Sequence, residues 1–175
     1  MLQLILGGAR SGKSRLAEQR AQALAGQNKK LIYIATGSAG DEEMQQRIAR
    51  HQSQREQGDA RWLTVEEPLA LSKVLQCNDN ENNIILVDCL TLWLSNCLHH
   101  DCWQQQREAL LSNLSALKAD VILVSNEVGS GIVPLGELCR RFADESGWLH
   151  QALGKQCETV TLVVAGLPLE LKSTC

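Results

Sequence analysis

The chain has 175 residues, of which 44% are hydrophobic and 21% are charged, and its formal net charge is −3. This composition is typical of a globular protein and excludes a disordered or collagen-like chain. The negative charge argues against nucleic acid as a partner, and no apolar run reaches the roughly 20 residues that a membrane span needs. We therefore expect a single cytoplasmic domain over residues 1–175.

Short apolar runs alternate with helical stretches along the chain. The runs that predict strands are 2–6, 31–35, 61–65 (the weakest), 84–87, 121–124 and 160–165. The stretches that predict helices are 13–25, 41–57, 68–75, 103–118 and 135–153. Most of the strand runs lack a polar face, as parallel strands do when both of their faces are buried. The alternation predicts an α/β fold, a mostly parallel sheet with helices on both faces.

A glycine-rich segment follows the first predicted strand and leads into the first predicted helix. It fits the pattern G-x-x-x-x-G-K-[ST], in which backbone N–H groups surround phosphate oxygens at a helix N-terminus. Its residues are Gly7, Gly8, Ala9, Arg10, Ser11, Gly12, Lys13 and Ser14. In this pattern the lysine reaches the β- and γ-phosphates and the serine hydroxyl holds Mg²⁺. The segment predicts a nucleotide-binding phosphate loop.

The metal of such a site also needs a carboxylate. Asp88 directly follows the apolar run 84–87, which places it at the carboxyl end of a predicted strand, where open parallel sheets bind their ligands. We expect Asp88 either to hold Mg²⁺ together with Ser14 or to act as a base.

The predicted helix 41–57 carries a histidine among arginines. Arg47, His51 and Arg55 are four residues apart, so they lie along one side of a helix, and Arg50 is beside them. This side is suited to a polyanion, and the arginines favour a neutral imidazole that can act as a nucleophile. The alternative is a solvated helix face.

A second glycine-containing loop follows the predicted strand 121–124. Its candidate substrate-binding residues are Asn126, Glu127, Gly129 and Gly131. Because it leaves the same sheet edge as the phosphate loop, it is typical of a substrate loop or a γ-phosphate sensor. A purely structural turn is the alternative.

The seven cysteines form no Cys-x-x-Cys pair, which favours reduced thiols. The local cluster from Cys97 to Cys102 is interpreted as solvated loop residues in preference to a zinc site. We assign no chemistry to His99, His100 or His150.

Several runs together resemble a known family. They are Gly-Gly-Ala-Arg-Ser-Gly-Lys-Ser-Arg (7–15), Tyr-Ile-Ala-Thr (33–36), Asp-Glu-Glu-Met with Arg-Ile-x-x-His (41–51), Val-Asp-Cys-Leu-Thr-Leu-Trp-Leu-Ser-Asn (87–96) and Asn-Glu-Val-Gly-Ser-Gly-Ile-Val-Pro (126–134). From residue 2 to about 166 the chain is similar to the bifunctional adenosylcobinamide kinase / adenosylcobinamide-phosphate guanylyltransferases of cobalamin synthesis.

The resemblance implies a RecA-like P-loop domain, assembled as a homotrimer, that uses ATP or GTP, Mg²⁺ and a corrinoid substrate. His51 aligns with the histidine that takes GMP from GTP as a covalent intermediate. Beyond the phosphate loop, the positions that align with GTP-binding residues are Ile34, Ala35, Thr36, Gln52, Ser53, Gln54, Arg55, Glu66 (or Glu67 in its place) and Asp88.

Two other functions fit parts of the sequence. A different small-molecule P-loop kinase would explain the phosphate loop and Asp88 but would leave His51 without a purpose. A nucleotide-dependent switch module would need no corrinoid site.

Overall fold

The computed structural model describes residues 1–37 and 61–173, and its strands form one sheet. The strands are β1 (Leu2–Gly7), β2 (Lys30–Ala35), β3 (Trp62–Glu66), β4 (Asn83–Asp88), β5 (Asp120–Asn126), β6 (Thr159–Val164) and β7 (Leu167–Lys172). The helices are α1 (Lys13–Ala25), α2 (Leu71–Cys77), α3 (Leu90–His99), α4 (Trp103–Asn113), a 3-10 turn (Leu114–Ala116) and α5 (Glu137–Gln156). The predicted helix 41–57 lies outside the described residues.

The sheet has the strand order β3-β2-β4-β5-β1-β6-β7. The first six of these strands pair in parallel, and β7 pairs antiparallel with β6. The predicted mostly parallel sheet is therefore confirmed, and the weak run around Trp62 is a strand at one edge. Strand β1 is an interior strand, which lies between β5 and β6.

Both faces of the sheet are covered by helices, as the continuous apolar runs of its central strands require. Along β1, Leu4 belongs to a core that includes residues of α2 to α5, whereas Ile5 belongs to the core under α1. Successive strand side chains point to opposite faces, so a strand buried on both sides must be apolar throughout. None of the described helices is long and apolar enough to cross a membrane.

Helix α3 was not predicted. Its buried residues Leu90, Trp93, Leu94 and Cys97 have the i, i+3, i+4, i+7 spacing of one face of an amphipathic helix, a period that the sequence analysis missed. The interpretation of Cys97–Cys102 as solvated loop residues is therefore wrong for Cys97, which is fully buried within α3. His99 ends the helix, and His100 and Asp101 are exposed. Among the described residues no group of three or more His, Cys, Asp or Glu side chains could hold a metal ion.

Strand β7 was not predicted either. It follows β6 after the two residues Ala165 and Gly166, which both have positive φ (52° and 79°), as a tight hairpin turn requires. The buried hydroxyl of Thr161 connects the hairpin to α1: it accepts a hydrogen bond from Arg20 (2.8 Å) and donates to Glu170 (2.8 Å). All six β7 residues are exposed, so the sequence has no buried face to mark this strand.

Candidate active site

The predicted site residues that the structure describes lie at the carboxyl edge of the sheet. Gly7 ends β1, Asp88 ends β4, Glu66 ends β3 and Asn126 ends β5. The N–H of Glu127 donates to the carbonyl of Gly7 (3.1 Å), so the second glycine loop begins directly beside the phosphate loop. His51 and residues 52–55 lie outside the described residues.

The phosphate loop has the backbone that its sequence predicts. Gly12, at the N-cap of α1, has φ +96°, which a side chain would strain. A Cβ on Gly7 would lie 2.5 Å from Ser11 Oγ and 2.7 Å from the carbonyl oxygen of Val163, so no side chain fits there. The β6–β7 turn supports the loop from the other side, because the N–H of Gly166 donates to the carbonyl of Ser11 (2.9 Å).

Lys13 points back into the loop that precedes it. Its side chain is 8% exposed, and its Nζ donates to the carbonyl of Gly8 (3.0 Å). Burial lowers the pKa of Lys13, and the nearby carboxylate of Asp88 opposes this effect. A triphosphate in the loop would supply negative charge to a lysine whose ammonium is otherwise compensated by Asp88 and a backbone carbonyl.

Asp88 is half-buried at the end of β4 and is held from β2. The buried hydroxyl of Tyr33 donates to Asp88 Oδ2 (3.1 Å), which orients the carboxylate. The phosphate-loop lysine and the carboxylate at the end of β4 thus come together across β1, β5 and β4, as their positions in the sequence predict.

The residues present fit a magnesium ion. Ser14 lies in the first turn of α1 and offers a hydroxyl oxygen, and Asp88 offers a carboxylate near Lys13. Mg²⁺ is usually bound through one or two such oxygen ligands together with substrate phosphates. The buried Oγ of Ser11 has no hydrogen-bond partner within the described protein, which also fits a loop whose polar contacts are incomplete without a ligand.

Residues 34–36 can reach a ligand only through their backbone. The side chains of Ile34 and Thr36 are fully buried. The Thr36 hydroxyl donates to the carbonyl of Cys89 (2.7 Å) and accepts the N–H of Cys89 (2.9 Å). Thr36 therefore fixes the backbone that follows Asp88.

Glu66 and Glu67 have different surroundings. The carboxylate of Glu67 accepts the N–H groups of Leu69 (2.8 Å) and Ala70 (2.7 Å), which precede α2. Glu66 is exposed at the end of β3, next to Ala35 in the sheet. Because Glu67 is used in the turn before α2, Glu66 is the better candidate for a ligand contact.

Glu127 organises the second glycine loop. Its carboxylate accepts the N–H groups of Gly129 (2.8 Å) and Ser130 (3.3 Å). Burial alone would raise the pKa of Glu127, but the hydrogen bonds from Ser130 and Gly129 lower it overall. Glu127 is therefore an ionised group that shapes its own loop.

A cleft of about 190 Å³ lies between this loop and the start of α5. Its lining combines apolar side chains, among them Ile132 and Val133, with the charged Arg140 and Asp144. Beneath the loop, Thr91, Ser125 and His150 form a polar cluster that the sequence analysis missed. No local pattern identifies these three, because they are far apart in the chain.

Comparisons with known proteins agree with this geometry. A family model described as cobinamide kinase / cobinamide phosphate guanyltransferase matches residues 3–171. The bifunctional adenosylcobalamin biosynthesis protein CobP of Pseudomonas aeruginosa is 55% identical over 175 residues, which are 98% of either chain. CobU of Escherichia coli, which carries the same description, is 36% identical over 188 residues, covering 98% of this chain and 100% of that one.

Solved structures share the fold. The flagellar accessory protein FlaH of Methanocaldococcus jannaschii has a TM-score of 0.54 at 15% identity, covering 99% of this chain and 78% of its own. An ATPase domain has a TM-score of 0.52 at 14% identity, covering 92% of this chain and 68% of its own. At such low identity these structures bear on the fold alone, and they confirm the P-loop, RecA-like class. Matched over nearly its whole length, the chain belongs to the cobinamide kinase / cobinamide phosphate guanyltransferase family.

Proposed function

We propose that the protein phosphorylates adenosylcobinamide with ATP or GTP. It then transfers GMP from GTP to adenosylcobinamide phosphate, giving adenosylcobinamide-GDP and pyrophosphate. The observation that carries this proposal is a phosphate loop whose buried lysine lies near the strand-end carboxylate Asp88, in a chain of this family. A different P-loop kinase or a switch module would explain the loop but not the family match.

The kinase step needs the γ-phosphate held and a hydroxyl placed in line with it. Lys13 and the loop amides of residues 8–14 would hold the phosphates, and Ser14 and Asp88 would bind Mg²⁺. When bound, the metal neutralises charge on the β- and γ-phosphate oxygens. The substrate hydroxyl oxygen attacks the γ-phosphorus, its proton leaves to a base, and the nucleoside diphosphate departs.

The guanylyl step needs a nucleophile for the α-phosphate. A nitrogen of His51 attacks this phosphorus and pyrophosphate leaves, which gives a phosphoramidate. A phosphate oxygen of adenosylcobinamide phosphate then attacks the same phosphorus and releases the histidine. Glu66 and residues 52–55 are the proposed nucleotide contacts around His51.

The corrinoid is proposed to lie against the second glycine loop. This loop, which contains Asn126, Glu127, Gly129 and Gly131, begins next to Gly7. A ligand on this loop would therefore be close to the phosphate loop. The cleft behind the loop offers apolar and charged groups to a large amphipathic ligand. A homotrimer, a single domain and a cytoplasmic location stay predictions.

The test of this function is protein-bound label. Wild-type protein incubated with GTP labelled at the α-phosphate should gain label that is stable in alkali and lost in acid, whereas γ-labelled GTP should leave none. His51→Ala should abolish both the label and GMP transfer and still phosphorylate adenosylcobinamide. The proposal fails if wild-type protein forms no adduct and turns over no corrinoid; an adduct that persists in His51→Ala places the nucleophile elsewhere.

A further inference from the structure

A line of hydrogen bonds runs beneath the start of the second glycine loop. Nε2 of His150, on α5, lies 2.8 Å from Oγ of Ser125, near the end of β5. The same Oγ lies 3.2 Å from Oγ1 of Thr91, in the first turn of α3. Thr91 Oγ1 in turn accepts the N–H of Asn126 (2.7 Å). His150 is thereby connected to the first residue of the loop.

The middle of this line cannot reach water. Ser125 is 1% exposed and Thr91 is 9% exposed, so their hydroxyls depend on one another and on His150. A serine hydroxyl has one proton, so Ser125 can donate to only one of its two neighbours and must accept from the other. The direction of the Thr91–Ser125 bond is therefore coupled to the tautomer of His150.

The ring of His150 is suited to this place when it is neutral. Burial lowers the pKa of His150, while the carboxylate of Glu127 opposes this effect. The same carboxylate holds the N–H groups of Gly129 and Ser130. The loop from 126 to 131 is thus fixed at its start by the Thr91–Ser125–His150 line and in its middle by Glu127.

The loop that this line supports is also tied to the phosphate loop. The N–H of Glu127 donates to the carbonyl of Gly7, and Thr91 follows Asp88 by only three residues. A shift at the start of the loop would therefore change its distance from the phosphate loop and from Asp88.

We propose that His150 is a positioning residue, which holds residues 126–131 against the phosphate loop through Ser125 and Thr91 so that the corrinoid is bound in line with the nucleotide. The assignment of the corrinoid to this loop rests on the proposed function. The hydrogen-bonded line itself does not, so the two can be tested separately.

The first measurement is hydrogen exchange, which needs no activity. His150→Leu removes the ring nitrogen and keeps an apolar side chain, and His150→Gln returns a polar group of similar reach. We expect the peptide containing residues 126–131 to exchange about five- to tenfold faster in His150→Leu, the size of one lost hydrogen bond. His150→Gln should recover most of the protection. Gln151→Ala, at the exposed next position of α5, is the matched control and should match wild-type protein.

The second measurement compares the KM for adenosylcobinamide with the label taken from GTP. In His150→Leu the KM for adenosylcobinamide should rise by about five- to tenfold, whereas the label taken from α-labelled GTP without corrinoid should be unchanged. If the ring only fills space, His150→Leu should lower the melting temperature but leave the KM for adenosylcobinamide unchanged. His150→Gln would then recover none of the exchange protection.

Each outcome decides between these roles. Unchanged exchange of residues 126–131 in His150→Leu overturns the proposal, as does an unchanged corrinoid KM in a wild-type enzyme that does turn over. If wild-type protein turns over no corrinoid, the proposed function fails, and the exchange experiment still decides whether His150 holds the loop. Should His150→Leu not fold, Ser125→Ala breaks the same line from β5 and must give the same faster exchange.

Discussion

The residues at the carboxyl edge of the sheet differ in how well the local sequence predicts their positions. Gly7, Gly12 and Lys13 are set by the spacing of one loop, and the structure gives them the predicted backbone and position. Thr91 and Ser125 are 34 residues apart in the chain, and Ser125 and His150 are 25 residues apart. They meet only after strands and helices pack, so no motif could predict the cluster.

Lys13 is the first residue to test. Lys13→Ala should lower both phosphorylation of adenosylcobinamide and GMP transfer, by about a hundredfold or more in kcat/KM, because both reactions need charge compensation on the triphosphate. Lys73→Ala, at an exposed position of α2, is the matched control. Steady-state rates of the two reactions provide the measurement. Near wild-type rates in Lys13→Ala would separate the phosphate loop from catalysis.

Asp88 can be tested by magnesium titration. Asp88→Asn keeps an oxygen that can accept the Tyr33 hydrogen bond but removes the charge that Mg²⁺ needs. We expect half-maximal kinase activity at a Mg²⁺ concentration about tenfold higher, or a sharp loss of rate. The exposed Glu81→Gln should titrate like wild-type protein. An unchanged titration would leave Asp88 with an orienting role in the strand only.

At the scale of elements, patterning predicted the continuously apolar strands and most of the described helices, and it missed α3 and β7. The limits of α1, Lys13–Ala25, agree with its prediction because glycines bound it on either side. Helix α2 begins at Leu71 rather than 68, because Pro68 belongs to the turn that Glu67 holds. Helix α3 was missed although its buried residues Leu90, Trp93, Leu94 and Cys97 have helical spacing, so its period was present in the sequence and was overlooked.

Helix α3 should contribute strongly to stability through Trp93. This side chain is fully buried, packs edge-to-face on Trp103 at 5.3 Å and donates its Nε1–H to the carbonyl of Leu69 (2.8 Å). Trp93→Phe should lower the free energy of unfolding by about 1–3 kcal/mol, since it removes a buried hydrogen bond to the Leu69 carbonyl and leaves a small void.

Urea unfolding followed by circular dichroism measures this loss. The matched control is Trp148→Phe, since Trp148 is 53% exposed on α5. It should change stability by less than about 0.5 kcal/mol. Equal losses in the two variants would mean that α3 is not part of the stable core.

At the scale of the whole molecule, the layered α/β architecture could be predicted, and the order of strands could not. Any right-handed arrangement of parallel strands satisfies the apolar runs. The position of β1 between β5 and β6 depends on pairings over more than a hundred residues. Strand β7 is exposed at the sheet edge, where a strand needs no apolar face and Pro168 is tolerated.

The amino edge of the sheet gives a prediction about pH. Asp120 accepts hydrogen bonds from Lys29 (2.7 Å) and from the amine of Met1 (2.8 Å). Burial opposes ionisation, but these partners lower the pKa of Asp120 overall from its ordinary value of 3.8. The unfolded chain therefore binds the proton more readily, and stability is lost as the pH falls below about 4.

Urea unfolding at pH values between 6 and 3 tests this dependence. Wild-type protein should lose stability towards the acid end, and Asp120→Asn should be less stable at pH 6 and show a flatter decline. The exposed Asp144→Asn, on α5, should keep the wild-type slope. Parallel curves for wild-type protein and Asp120→Asn would show that this carboxylate does not set the acid sensitivity.

The interior place of β1, between β5 and β6, has a consequence for synthesis on the ribosome. Its partner β5 begins at residue 120 and β6 at residue 159, so the first strand to emerge waits for the last parallel strand before both of its edges are paired. At elongation rates of about 5 to 20 residues per second, this delay is roughly 8 to 30 seconds. Until β5 emerges the apolar segment Leu2–Gly7 has no paired edge, and until β6 emerges one edge stays open, so chaperones that bind nascent hydrophobic strands would have their main opportunity there. The phosphate loop, which depends on β1 and on the β6–β7 turn, is therefore among the last parts of the protein to be completed.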